Sequence, residues 1–233
     1  MNLEDEFPYG HYNYCDYRCE KCEFSGTCSV YQEELEAIEE GKDWQEVLED
    51  SFEKTRSMIE TFMEEEGIEV SPEDDDFEIE YKKIQDKAKK NPVHRLANDY
   101  MSMAMDFLKK CPPAMLVLSG LDEERDDLEY YCTLIPGKLH RTLASLYHFV
   151  DEEDDFHLVD AYLTSLVVYK ALNKSLAAVE QMKKVMEGAA EELNRLEDLL
   201  LEIRIKFRRE FPFEILLVLL KQLEQVPGKT ADK

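Results

Sequence analysis

Residues 91–110, NPVHRLANDYMSMAMDFLKK, contain the pattern that decides the fold class. Asn91-Pro92 is typical of the start of a helix, because the fixed φ of proline and its missing donor suit the first turn. The apolar residues that follow recur every three or four positions and so share one helical face. They are Val93, Leu96, Ala97, Tyr100, Met101, Ala104, Met105 and Leu108. The segment predicts an amphipathic helix packed against others and closed by Cys111-Pro112-Pro113.

The same period of about 3.6 residues continues along most of the chain, with Gly and Pro at the segment edges. Asp43 with Glu46 predicts a capping box at the start of one helix, which ends at Gly67. The other predicted helical segments are 30–40, 79–90, 114–118, 121–134, 137–150, 156–187, 190–211 and 213–226. The long helix over 156–187 is predicted to bury one apolar face, which includes Leu158, Leu166 and Leu172. Only 8 of 233 residues are glycine, which favours long helices over a turn-rich β fold. We predict an all-α fold, an antiparallel helical bundle with a small N-terminal Cys-rich metal-binding appendage.

The predicted organisation follows the changes in composition along the chain. Residues 1–30 form a four-cysteine metal-binding segment, and residues 31–70 form acidic helices packed on the bundle. An acidic linker, 71–78, leads into the helical bundle, 79–228, and residues 229–233 form a polar tail.

The charge of the chain limits its partners. The formal net charge is −25, which argues against binding a nucleic-acid backbone. Between Gln32 and Glu80 there are 21 acidic and three basic side chains, a surface that could dock a basic protein partner. No apolar run approaches the roughly 20 residues of a membrane helix, and the N-terminus has no apolar signal region. We expect a cytoplasmic protein with a protein partner, and the oligomeric state stays open.

Four of the six cysteines lie within fourteen residues, in CDYRCEKCEFSGTC. Cys15, Cys19, Cys22 and Cys28 give the pattern C-x3-C-x2-C-x5-C. In a chain without a secretory signal, such a cluster indicates a metal site rather than disulfides. We expect all four thiolates to bind one centre, with Arg18 and Lys21 lowering the thiol pKa values.

The spacing favours a [4Fe–4S] cluster, since zinc sites more often pair two CxxC knuckles across a longer loop. CEKCEFSGTC is similar to the C-x2-C-x5-C element that holds [4Fe–4S] clusters in SPASM domains and in the iron–sulfur nucleases of CRISPR adaptation and recombination. The first three cysteines also resemble the C-x3-C-x2-C of radical-SAM enzymes, but Lys21 stands where those enzymes have an aromatic residue. Neither a β/α barrel nor an α/β nuclease core follows, so the resemblance implies the cofactor alone. The expected cofactor is [4Fe–4S], with Zn as the alternative.

The histidines offer weaker candidates. His11, four residues before Cys15, could replace a cysteine as ligand. Asp154 and His157 approximate a di-metal Glu-x-x-His pair, although helix capping explains Asp154 better. Arg141 and His148 form R-x6-H, which resembles the Arg-x4-6-His element of HEPN ribonucleases, and the two residues can share a helix face. Arg141 also lies in a small cationic group that pairs internally if Asp160 is near.

No catalytic constellation stands out in the sequence, so an enzyme is not the expectation. The sequence predicts a metal-binding protein that acts in redox or regulatory protein interactions. One alternative is a non-catalytic interaction module with a purely structural zinc. A second is a HEPN-like RNase that uses Arg141 and His148.

Overall fold

The computed structural model describes residues 14–67, 75–111, 120–152 and 155–211, and within these ranges every regular element is a helix. The chain divides into two compact units, residues 1–78 and 79–233. The helices are α1 (Ser29–Glu39), α2 (Trp44–Glu66), α3 (Asp75–Lys90), α4 (Pro92–Lys110), α5 (Asp122–Glu152), α6 (Asp155–Val185) and α7 (Ala190–Glu210). Short 3-10 turns cover Cys19–Lys21 and Glu187–Ala189. The prediction of an all-α protein is confirmed.

The capping box predicted at the start of α2 is confirmed. The Asp43 carboxylate accepts hydrogen bonds from the backbone N–H groups of Gln45 (2.8 Å) and Glu46 (3.0 Å). The Glu46 carboxylate accepts one in return from the Asp43 N–H, at 2.9 Å. At the other end Gly67 adopts φ +66°, a left-handed conformation that glycine takes without steric cost.

The N-terminal unit buries little apolar surface. Among the side chains that the structure describes in residues 14–67, the buried apolar ones are Cys28 and Ala37. Large apolar side chains of α2 are exposed by 46–68%: Leu48, Phe52, Met58, Ile59 and Phe62. The described part of this unit therefore lacks the kind of core that normally stabilises a domain of its size.

In the second unit, α4, α5, α6 and α7 surround one core. Helix α5 packs on α4 and α6, and α7 packs on the same two helices. The largest fully buried side chains come from all four helices and include Tyr100, Leu128, Ile135, Leu139, Leu172, Met182, Leu193 and Phe207. This arrangement buries the apolar face predicted for residues 91–110, to which the structure adds Phe107.

Asn91 fixes the junction between α3 and α4. Its side-chain oxygen accepts a hydrogen bond from the Val93 N–H at 2.7 Å and caps α4. Its amide nitrogen donates to the Tyr147 hydroxyl (2.9 Å) and to the Glu210 carboxylate (2.8 Å). One buried side chain thus ties α4 to α5 and α7.

Two helices predicted over 121–134 and 137–150 are one helix, α5, and the predicted break was wrong. Pro136 lies inside α5 and is buried. It removes the N–H that would bind the Cys132 carbonyl, a loss worth about 3 kcal/mol in an isolated helix. Burial of Ile135 and Leu139 on either side of the proline offsets that loss, since a fully buried aliphatic side chain contributes about 1.5–3 kcal/mol.

The prediction of a single apolar face for residues 156–187 was also incomplete. Helix α6 is buried around much of its circumference, because α5 and α7 both pack on it. Its buried positions include Asp160, Thr164 and Ser175, while Leu166, expected to be buried, is 42% exposed.

Other boundaries differ slightly from the sequence expectation. Helix α3 begins at Asp75, inside the predicted linker 71–78, and α6 begins at Asp155. The predicted helical segments 114–118 and 213–226, and the tail 229–233, lie outside the described residues. Among the helices that are described, none combines the length and apolar character required to cross a membrane.

Candidate metal centre

A series of tight turns folds the four cysteines of residues 15–28 back on one another. The Cys22 N–H donates to the Cys19 carbonyl at 3.2 Å, and the Ser25 N–H donates to the Cys22 carbonyl at 3.3 Å. The Cys28 N–H donates to the Phe24 carbonyl at 3.0 Å, and Cys28 occupies the position just before α1. Consecutive turns of this kind return the chain on itself, so cysteines up to thirteen positions apart come to one place.

All four cysteines line a single cavity of about 20 Å³. Asp16, Tyr17, Arg18, Ser25 and Tyr31 complete its wall. Tyr17 adopts φ +55°, an uncommon conformation for a residue with a side chain, between the first two cysteines. The cluster read from the sequence is therefore also a cluster in space.

The four cysteines form no disulfide, and they do not form a closed ligand shell. Cys28 is buried and the other three are half-buried, with no disulfide among them. In the described part of the chain, no three Cys, His, Asp or Glu side chains are grouped closely enough to hold an ion as they stand. A cysteine has one side-chain torsion with three staggered positions, and a change of position moves its sulfur by about 3 Å.

The expected lowering of the thiol pKa values is wrong for Cys19. Burial raises the pKa of the Cys19 thiol, and the neighbouring Cys15, Glu34, Cys28 and Cys22 raise it further. Arg18 instead directs its guanidinium to Glu20, at 2.6 Å.

The remaining cysteines belong to the second unit and resemble core residues. Cys132 is fully buried, and burial followed by the Glu129 carboxylate raises the pKa of its thiol to about 12. Burial also raises the pKa of Cys111, at the end of α4. Buried, protonated thiols of this kind are poor nucleophiles and poor metal ligands.

Arg141 is held by Asp160, as expected if the two were near. Its guanidinium donates to both carboxylate oxygens of Asp160, at 2.5 and 3.3 Å, and the Ser145 hydroxyl donates to the same carboxylate at 2.5 Å. His148 is buried and its ring stacks on that of His157 at 4.6 Å. A guanidinium neutralised by a carboxylate is poorly prepared to bind a phosphodiester, so these contacts favour a structural role for Arg141 and His148. His11 and Asp154 lie outside the described residues.

A second pair of histidines was missed by the sequence analysis. His94 and His140 have ring centroids 5.2 Å apart. Their local sequences, HRLA and HRTLA, are alike, but nothing in the spacing of two residues on different helices indicates that they meet.

Comparisons with family models, curated proteins and solved structures found no match to this chain.

Proposed function

We propose that Cys15, Cys19, Cys22 and Cys28 bind one metal centre and that the chain acts in redox or regulatory protein interactions. The observation that carries the proposal is that all four thiols line one cavity. Thiolates are the ligands that zinc and iron–sulfur centres prefer. A cation between them would also remove the mutual repulsion that opposes ionisation of Cys19.

The proposed centre is a [4Fe–4S] cluster, on the grounds of spacing. A cube takes one thiolate at each of four corners, and the C-x3-C-x2-C-x5-C spacing supplies four from one short segment. The tight turns of residues 19–28 suit such wrapping. A cube requires the four side chains to spread outward from their present positions, because it is much larger than the cavity.

Zinc is the second candidate, and the cavity volume favours it. The cavity of about 20 Å³ has room for one small ion, since a cavity that holds a single water molecule has a volume of roughly 10–15 Å³. One Zn²⁺ with four sulfurs at about 2.3 Å fits there after rotation of the thiols.

Either metal would brace the N-terminal unit. The side chains described in residues 14–67 include only two that are apolar and buried, Cys28 and Ala37. Small units with so little core commonly depend on a metal, whose binding free energy then becomes folding free energy. We propose the architecture of a small Cys-rich, metal-braced appendage on an antiparallel helical bundle.

The proposed partner is a basic protein surface that binds α2. Leu48, Phe52, Ile59 and Phe62 recur at intervals of three, four or seven positions and are exposed. The same helix carries eight acidic and two basic side chains, so a cationic amphipathic partner complements both its apolar stripe and its charge. A cationic amphipathic peptide should bind the wild-type chain and bind the Phe52→Asp variant more weakly. Equal affinity for the two proteins would contradict this part of the proposal. None of the six cysteines forms a disulfide, which suits a reducing compartment, and the cytoplasm is the proposed location.

The test is metal analysis and an anaerobic absorption spectrum of the freshly purified full chain. A [4Fe–4S] cluster predicts about four irons per chain and a broad absorption at about 400 nm that bleaches with dithionite. Structural zinc predicts a colourless protein with one zinc per chain.

Matched cysteine variants locate the centre. Cys22→Ser and Cys28→Ser should lose the metal, while Cys111→Ser, which makes the same substitution in the second unit, should retain it. Iron and zinc both absent, with all six thiols free to titrate, would overturn the proposal. The proposal would also be overturned if Cys22→Ser retained the metal and Cys111→Ser lost it.

A further inference from the structure

A cavity of about 430 Å³ lies at the junction of α3 and α4, within the second unit. Its volume falls in the range of roughly 300–1,000 Å³ that is usual for small-molecule sites. The residues that line it include Lys83, Asp86, Lys87 and Lys90 of α3, Asn91 at the junction and Tyr147 of α5. Basic side chains therefore dominate the wall of this cavity in a chain whose formal net charge is −25.

The three lysines form a row along one face of α3. They are spaced by four and then three positions, so their side chains are neighbours on the helix surface. With a rise of 1.5 Å per residue, the row is about 10 Å long. Like charges at this spacing repel each other and destabilise a helix. An anion bound along the row would remove that repulsion.

These lysines also differ from others of the second unit in their ion pairs. Five lysines elsewhere in this unit lie 2.6–3.3 Å from a carboxylate oxygen: Lys109, Lys110, Lys183, Lys184 and Lys206. Among the described residues, none of the three lysines of the cavity forms such a pair. Asp86 stands four positions before Lys90, a spacing that suits an ion pair, and it forms none with Lys90. The ammonium groups are therefore available to a ligand.

The dipole of α3 explains part of this charge. Lys87 and Lys90 lie in the last turn of α3, where a cation stabilises the negative end of a helix. Lys83 lies two turns before Lys90, where that effect has faded. The third ammonium is therefore not accounted for by the helix itself.

Tyr147 orients Lys87 and adds a donor to the cavity. Lys87 Nζ lies 4.3 Å from the centroid of the Tyr147 ring, a cation–π contact. The Tyr147 hydroxyl accepts a hydrogen bond at 2.9 Å from the amide nitrogen of Asn91, which is buried. Because an amide nitrogen only donates, the phenol keeps its own hydrogen to donate, and no acceptor for it is found in the described part of the chain. Ammonium and phenol groups together offer donors suited to an oxyanion.

We propose that this cavity binds a small polyanion that carries two or more phosphate groups. The three ammoniums and the Asp86 carboxylate sum to a charge of +2, which a ligand with at least two negative charges complements. Lysine binds phosphate as a point charge, and a row about 10 Å long suits linked phosphates better than a single one.

The experiment is isothermal titration calorimetry of the full chain with sodium tripolyphosphate at low ionic strength. It is done at two temperatures, because the heat of binding can vanish at only one of them. One tripolyphosphate should bind per wild-type chain, and orthophosphate should bind more weakly. Lys83→Gln and Lys87→Gln should each weaken tripolyphosphate binding by about two- to fivefold, as expected for an exposed charge pair. The triple variant Lys83→Gln, Lys87→Gln, Lys90→Gln should lose it.

Two further variants separate a local site from a general effect of net charge. Asp86→Asn should tighten binding by a similar factor, because it removes the carboxylate from the wall of the cavity. Lys109→Gln removes the same charge from an exposed lysine that is paired with Asp106, and it should leave binding unchanged. Far-UV circular dichroism establishes that each variant is folded.

Wild-type protein that binds no tripolyphosphate would overturn the proposal. Binding that the folded triple variant retains, equal affinity for orthophosphate, or weaker binding to Asp86→Asn would each overturn it as well. The proposal stands or falls independently of the thiol centre, whose metal content is measured separately.

Discussion

The two units of this chain differ most in what they bury. The described part of residues 1–78 buries Cys28 and Ala37 among its apolar side chains, and exposes large apolar residues along α2. The described part of residues 79–233 buries more than thirty apolar side chains in one cluster. Both regions are helical, so regular secondary structure alone does not distinguish them.

The difference indicates two sources of stability. Helices α4–α7 are held by removal of apolar surface from water, at about 25 cal/mol per Å². Local devices such as the Asp43 capping box stabilise α1 and α2, but isolated helices gain little from propensity and caps alone. A metal bound by four thiolates would supply the stabilisation that tertiary packing supplies in the second unit.

The largest expected difference between the two units comes from truncating one aromatic residue in each of them. Phe207→Ala should lower the free energy of unfolding by about 3–5 kcal/mol, because Phe207 is fully buried against Tyr169 and Phe211. Phe52→Ala should change it by less than about 0.5 kcal/mol, because Phe52 is 68% exposed. Urea unfolding followed by circular dichroism measures both. A Phe52→Ala cost equal to that of Phe207→Ala would show that α2 is packed as tightly as α7.

Two helix caps give a smaller and sharper comparison. Asp43→Ala removes hydrogen bonds within one turn of α2 and should cost about 1 kcal/mol. Asn91→Ala removes a cap together with part-buried hydrogen bonds to Tyr147 and Glu210, and should cost about 2–4 kcal/mol. Thermal unfolding of the two variants checks the difference. Equal shifts in Tm would mean that the contacts of Asn91 to α5 and α7 add nothing to its role as a cap.

The smallest expected effect is a pH dependence confined to the second unit. The pKa values of His94 and His140 are below their usual 6.5, chiefly through burial. The unfolded chain therefore takes up protons more readily, and the stability contributed by the neutral pair is lost as pH falls below about 6.5 toward the folded-state values. In the double variant His94→Gln, His140→Gln, the slope of unfolding free energy against pH should become shallower between pH 6.5 and 5, measured without added metal. An unchanged slope would assign the pH dependence to other groups.

Local signals in the sequence predicted much of the fold. The capping box at Asp43, the start of α4 at Asn91-Pro92 and the extent of α7 all depend on residues close together in the chain, and the structure agrees with each. The four cysteines are also close together in the chain, and a segment of fourteen residues can bring its own side chains to one cavity.

The errors came where distant contacts override local preference. Pro136 predicts a break, yet α5 continues because Ile135 and Leu139 are buried beside it. Helix α6 was expected to have one apolar face, but it lies against both α5 and α7 and is buried on more than one side.

The sequence by itself determined the helical class and most helix ends, because each depends on periodicity or spacing over a few turns. It also places the four thiols of the candidate centre within fourteen residues, and their role as ligands stays a prediction. The tertiary structure decided which helices share a core, that Arg141 is neutralised by Asp160, and that His94 meets His140. Those are encounters between residues far apart in the chain. Their geometry is set by the packing of whole helices, and no local pattern encodes it.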